Sequence, residues 1–211
     1  MRLLLLARFA FAVAVTVAVS AAEPKPPYPP SPVIARVELD FKTHRRLAPG
    51  SDNWPTTWAD DGHLYSAWGD GGGFGGTNSQ GRVLLGVARI EGDASTYTGR
   101  NLWGGVGAPK PAFGGKSYGI LCVDGVLYLW VAPQPNPHLD HSQLAFSKDH
   151  GATWQLADWK FPFSASLTVP TFLNFGRDYA GARDDYVYSY YIHPAWGPGK
   201  STKTTAHTFD V

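Results

Sequence analysis

The sequence holds one cysteine, Cys122, and one methionine, Met1. A single cysteine excludes an intrachain disulfide framework and a multi-cysteine zinc site. Cys122 sits in the apolar run Ile120–Val123, which points to a buried, inert thiol. Charge is scarce too. Asp, Glu, Lys and Arg make up 17% of the 211 residues, and the formal net charge is +1. So neutral a chain cannot replace many phosphate counterions, which argues against a nucleic-acid partner. Past the N-terminus there is no block of like charges. No apolar run there approaches the ~20 residues of a membrane span. Through Ile90 no segment shows a 3.6-residue apolar period.

What is present fits an all-β chain of one or two domains. Hydrophobic residues are 44%, enough for a packed core. Eight Trp, ten Tyr, 24 Gly and 17 Pro suit short strands joined by tight turns. Residues 1–22 read as a secretory signal peptide. Arg2 and Arg8 form the basic region, Phe9 to Val19 the apolar one, and Ser20-Ala21-Ala22 the cleavage site. The expected location is secreted or periplasmic, with no membrane span after cleavage. Export without disulfides suits a bacterial source. Residues 23–32, with six prolines, read as an extended spacer. Val33 to Phe41 alternates apolar and polar residues and predicts a strand.

A phrase then repeats. A strand over Ser51–Ala59 enters Asp60-Asp61-Gly62 and returns as His63–Trp68. Tyr118–Val123 enters Asp124-Gly125 and returns as Val126–Trp130. Asp-Gly between alternating runs is a strong hairpin signal. A third version runs from Thr171–Phe175 through Arg183-Asp184-Asp185 to Tyr186–Tyr191. Tyr65, Tyr128 and Tyr188 recur 63 and 60 residues apart. A long period built of strands predicts propeller blades of four strands each. Residues 33–192 then hold two to three blades, fewer than a closed ring needs. The expectation is a partial propeller from a truncated chain, with an irregular tail at 193–211.

Ser147-Lys148-Asp149-His150-Gly151-Ala152-Thr153-Trp154 reads S-x-D-x-G-x-T-W. Asp149 can fold onto turn N–H groups, Gly151 supplies a positive φ, and Trp154 has a large face to bury. With Ser147 and Thr153, this pattern resembles the Asp-box of sialidase-like, or BNR-repeat, β-propellers. The blade phrases resemble secreted propellers of unknown function related to glycoside hydrolases. The resemblance implies that the Asp-box is structural and lies on the face away from the substrate.

That sorting places Asp60-Asp61, Asp124 and Asp184-Asp185 with the Asp-box, as turn formers. The opposite face receives Ser51–Trp54, the glycine loop at Asp70, Gly114–Tyr118, Pro133–His141 and His193–Trp196. Glycosidases need two carboxylates. Asp52 and Asp70 are the candidate catalytic pair, with Asp140 a third acid. Asn53 and Lys116 can hydrogen-bond a sugar, and Trp54, Tyr118 and Trp196 can stack on one. Arg177 and Arg183 fall on the wrong face for a sialidase arginine triad. The implied activity is glycan hydrolysis; the alternatives are a non-catalytic carbohydrate- or protein-binding propeller, or an inactive fragment. A glycan is the expected partner, and neither a cofactor nor a metal is expected.

Three local matches fail on context. Gly71-x-Gly73-x-x-Gly76 lacks the helix a dinucleotide fold needs. Gly115-Lys116-Ser117-Tyr118-Gly119 is followed by a strand, where a hydrolase elbow needs a helix. His138-x-Asp140-His141 fits no standard zinc spacing.

Overall fold

The computed structural model describes residues 29–133, 141–162, 168–192 and 207–208. The chain divides into two units, Met1–Phe41 and Lys42–Val211. In the first, the described residues form no strand, contrary to the expectation for Val33–Phe41. Val33 is 89% and Phe41 78% exposed. Alternation permits a strand, but ladder bonds to a neighbour create one. Here the N–H groups of Val33 and Ile34 turn back onto Ser31 Oγ instead.

The second unit is all-β, with no α-helix among the described residues. Nor is any helix there long and apolar enough to cross a membrane. The first sheet is the meander β1 (Thr56–Trp58), β2 (Leu64–Trp68), β3 (Gly86–Glu91), β4 (Thr98–Trp103). The second runs β5 (Gly115–Val123), β6 (Val126–Pro133), β7 (His141–Ser147), β8 (Gln155–Leu156), with β9 (Phe161–Pro162) also on β7. The third is β10 (Thr168–Phe172), β11 (Ser189–Ile192), β12 (His207–Thr208). Every pairing is antiparallel. The leading strands pack side by side, β5 against both β1 and β10.

The core lies between the first two sheets. Tyr65, Ala67, Leu85, Val87 and Trp103 meet Cys122, Leu127, Leu129, Val131, Ala145 and Trp154. On the other face of β6, Trp130 stacks on Phe172 at 5.8 Å and donates from Nε1 to Ser189 Oγ at 3.2 Å. That aromatic contact joins the second sheet to the third.

Several expected strands are corrected in extent, among them Thr171–Phe175, which is Thr168–Phe172. Ser51–Ala59 shrinks to Thr56–Trp58, because Asn53 takes φ 50°, outside any strand conformation. Tyr186–Tyr191 becomes Ser189–Ile192. Gly115–Tyr118, expected in a loop, opens β5.

The tyrosine repeat is not a structural equivalence. Tyr65 faces Thr57 across the first hairpin, whereas Tyr128 faces Leu121 across the second. Leu127, which faces Cys122, shares the core with Tyr65 and is equally buried, whereas Tyr128 lies outside that cluster. The two turns also differ in length. Ala59 N bonds His63 O at 2.9 Å, leaving three residues in the first turn, ended by Gly62 at φ 84°. The second turn has two, Asp124 at φ 51° and Gly125 at φ 71°.

The turn from Ser147 to Trp154 is closed by its own side chains. Ser147 Oγ accepts from Gly151 N–H and donates to Asp149 Oδ1, each at 2.8 Å. Asp149 accepts from Thr153 N–H at 2.9 Å and Thr153 Oγ1 at 2.6 Å. Burial pushes the Asp149 carboxyl up, but the bonds from Thr153 and Ser147 outweigh it and hold the group below its ordinary value. A carboxyl depressed by folding stabilises the protein above its unfolded pKa; that stability is lost as pH falls through the folded value. Stability is therefore expected to fall in acid below about pH 4. Asp149→Asn should flatten that fall, read from urea midpoints across the acid range.

Candidate functional site

Strand β1 separates two polar clusters. Before it, Asp52 and Gly69 exchange backbone hydrogen bonds, Asp52 N–H to Gly69 O at 3.0 Å and Gly69 N–H to Asp52 O at 2.8 Å. This bridge holds the chain entering β1 beside the chain leaving β2, so Asp52 and Asp70 come close. Asp70 sits at φ 54° with its carboxylate half-buried between two cations. Arg82 Nη2 lies 3.3 Å from Oδ1, and Lys116 Nζ contacts Oδ2. Lys116 belongs to β5, so this ion pair joins the first sheet to the second.

Tyr118 completes the group. β5 carries a bulge between Ser117, opposite Val131, and Gly119, opposite Trp130. Tyr118 is the extra residue, and bulges of this kind re-aim a side chain. Burial pushes its hydroxyl pKa up, and the Asp70 and Asp52 carboxylates add to the rise. Tyr118 is therefore a protonated hydrogen-bond donor at neutral pH. Gly69 marks the centre of the cluster. A β-carbon there would lie 3.4 Å from Asp52 Oδ1 and 3.9 Å from Lys116 Nζ.

The two carboxylates differ in what they touch. Asp70 is neutralised by Lys116 and Arg82. Asp52 is exposed, and its carboxylate makes no hydrogen bond or ion pair among the described residues. An unengaged carboxylate beside a neutralised one and a hydroxyl donor can take a proton from, or bond to, a polyhydroxylated ligand.

The other expected residues lie apart. Trp54 points to the far face of the first sheet. Its ring stacks on Trp68 at 5.5 Å and meets Phe74 edge-on at 5.6 Å. There it lines a cleft of about 370 Å³ with Arg45, Arg46, Phe74 and Tyr97. Neither Asp52, Asp70, Lys116 nor Tyr118 borders that cleft. Asn53 is exposed. Trp196, His138 and Asp140 lie outside the described residues. Gly115–Gly119 lies wholly within strand β5, bulge included, with no helix after it, so the elbow geometry of a nucleophilic serine is absent there.

Sequence reasoning passed over Arg82 and Asn101. Arg82 follows the glycine loop and clamps its two ends, donating to the carbonyls of Asp70 and Asn78. A lone arginine after a run of glycines was the available signal. Cys122 is fully buried; burial pushes its thiol up to about 12, and it donates to Asp178 Oδ1 at 3.3 Å. It takes no part in the cluster around Asp52.

No protein-family model matches this sequence, and no curated protein matches it.

Proposed function

We propose that the three sheets are blades of an exported, sialidase-like β-propeller that acts on a glycan, with Asp52 as the reacting carboxylate. The side-by-side leading strands β1, β5 and β10 and the meander within each sheet support the propeller. The closed turn at Ser147–Trp154 supports its Asp-box character. The unengaged Asp52 carboxylate, held beside Asp70, Lys116 and Tyr118, carries the functional reading. In this site Asp52 faces the sugar, Tyr118 and Lys116 hydrogen-bond its hydroxyls, and Asp70 holds Lys116 in place. Fold alone does not fix chemistry, so the reading stands on these residues.

A panel of aryl-glycosides incubated with the purified chain tests it. Release of aryl alcohol is expected, and Asp52→Asn should lower turnover by at least about 100-fold, the range for losing a general acid or base. Unchanged turnover in that variant would remove Asp52 from the chemistry. A second reading, glycan binding without hydrolysis, is favoured by the engagement of Asp70 with two cations. Retention on a polysaccharide column, with no sugar released, would select it.

A further inference from the structure

At the other end of β1, two turns bring together a different set of donors. Asp60 and Asp61 lie in the turn after β1, and His150 in the turn after β7. One ligand atom from each lies within 4.8 Å of the other two. His150 Nε2 is 2.7 Å from Asp60 Oδ1. Asp61 is oriented from behind, since Tyr65 Oη donates to its Oδ2 at 2.8 Å and His63 N–H to its Oδ1 at 3.0 Å. The buried Tyr65 ring stacks on the imidazole at 5.9 Å, so one side chain fixes two members of the set.

We propose that Asp60, Asp61 and His150 bind one divalent transition-metal ion of the zinc type, clamping the first sheet to the second. Two carboxylate oxygens and one imidazole nitrogen match the ligand preference of that ion, and solvent supplies the open position. A turn stabilised by the His150–Asp60 pair alone needs one carboxylate. The second brings like charge to the same place, and a divalent cation relieves that repulsion. Tyr65 and the His63 amide play the outer role that orients metal-bound carboxylates. Metal–ligand bonds of about 2.0–2.2 Å require donors roughly 3 Å apart or more. The Asp60–His150 pair must therefore open by a few tenths of an ångström. Both side chains are partly exposed, at 41% and 37%, and the Asp60 carboxylate can make that shift while the Tyr65 ring holds the imidazole.

Two groups near Asp60 are engaged elsewhere. Arg177 donates to the Asp60 carbonyl rather than to its carboxylate. Asp178 is occupied by Gly125 N–H at 2.9 Å and by the Cys122 thiol. Cys122 and Asp178 form a second set with Asp60. That set points into the core, where Cys122 is fully buried, whereas Asp61 and His150 face solvent.

The experiment titrates zinc chloride into the metal-stripped full chain, followed by calorimetry and thermal melting. One equivalent is expected to bind and to raise Tm, since an ion that binds only the folded state stabilises it. His150→Asn keeps a residue tolerant of positive φ at this position, φ 52°. It should weaken zinc at least about 30-fold and abolish the Tm rise, with the metal-free melt lowered only slightly by loss of the exposed His150–Asp60 pair; Asp61→Asn should weaken it about tenfold. Cobalt(II) added to the unaltered chain should broaden the amide signals of Gly62 and Gly151 first. This readout does not depend on any variant folding. Zinc affinity unchanged in both variants, broadening centred elsewhere, or calcium binding as tightly as zinc would each overturn the site.

Discussion

Trp154→Ala is expected to destabilise the protein by about 3–5 kcal/mol, the range for removing a buried aromatic from a packed core. The indole is 6% exposed and belongs to the cluster between the first and second sheets. Its ring centroid lies 6.2 Å from that of Trp103, which in turn sits 4.8 Å from Phe113. The same side chain closes its own turn, donating from Nε1 to Gly151 O at 3.1 Å. Alanine therefore leaves a cavity between two sheets and a turn carbonyl without its donor. Trp154→Phe separates the two costs. It keeps most of the ring area and loses only the hydrogen bond, so about 1 kcal/mol is expected. Urea denaturation of both variants measures the difference. A loss below about 1 kcal/mol for alanine would mean that the sheets do not share this core.

How much of this was legible beforehand depends on the range of the interaction. Local chemistry read correctly. Asp-Gly pairs fold as turns because their backbones demand it, and the hydrogen bonds from Ser147 to Thr153 lie within one octapeptide. Partner-dependent features did not read. Val33–Phe41 has the alternation of a strand, but alternation says nothing about what lies beside it. Tyr65 and Tyr128 each stand two residues past the pair that closes their turn, yet only Tyr65 joins the core between the sheets, because sheet packing rather than the hairpin itself decides which face is buried. The site divides along the same line. Asp52, Asp70, Lys116 and Tyr118 were grouped because loops alternate between the two ends of a meander, and the structure gathers them there. The Lys116–Asp70 ion pair needed the packing of two sheets, and the placing of Tyr118 needed a bulge that no motif announces. Trp54 sits two residues from Asp52, yet it lines another surface. Asn53 in the left-handed region breaks the strand periodicity that would have kept the two together.

Asn101→Ala is expected to cost about 3 kcal/mol, and to disturb the candidate site from a distance. Asn101 lies on β4, yet its side chain serves the glycine loop. Oδ1 accepts Phe74 N–H at 2.9 Å. Nδ2 reaches three carbonyls, Gly72 at 3.1 Å, Phe74 at 3.0 Å and Val106 at 2.9 Å. An amide has two N–H donors, so one of them is shared. The loop is otherwise held mainly by its own backbone, as in Gly72 N–H to Thr77 O at 2.9 Å, by Ser51 Oγ accepting from Gly73 N–H at 3.0 Å, and by Arg82. Its glycines pack backbone on backbone, and a β-carbon on Gly72 would fall 2.0 Å from Gln80 O. Each partner left unpaired costs about 1–3 kcal/mol where water is excluded, and less where water enters. Several partners at partial cost give the expected sum. Asn101→Asp is the matched variant. It keeps the acceptor for Phe74 N–H, loses the donors and sets a negative charge against three carbonyls, so it should be no milder than alanine. The loop begins at Asp70, whose place depends on Arg82 closing the same loop. Loosening it should detach Asp70 from Lys116 and weaken glycan retention or turnover along with stability. Hydrogen exchange at the Phe74 amide reads the first effect, and glycan retention at a temperature where the variant stays folded reads the second. Faster exchange with full retention would show that the loop and the carboxylate cluster are held independently.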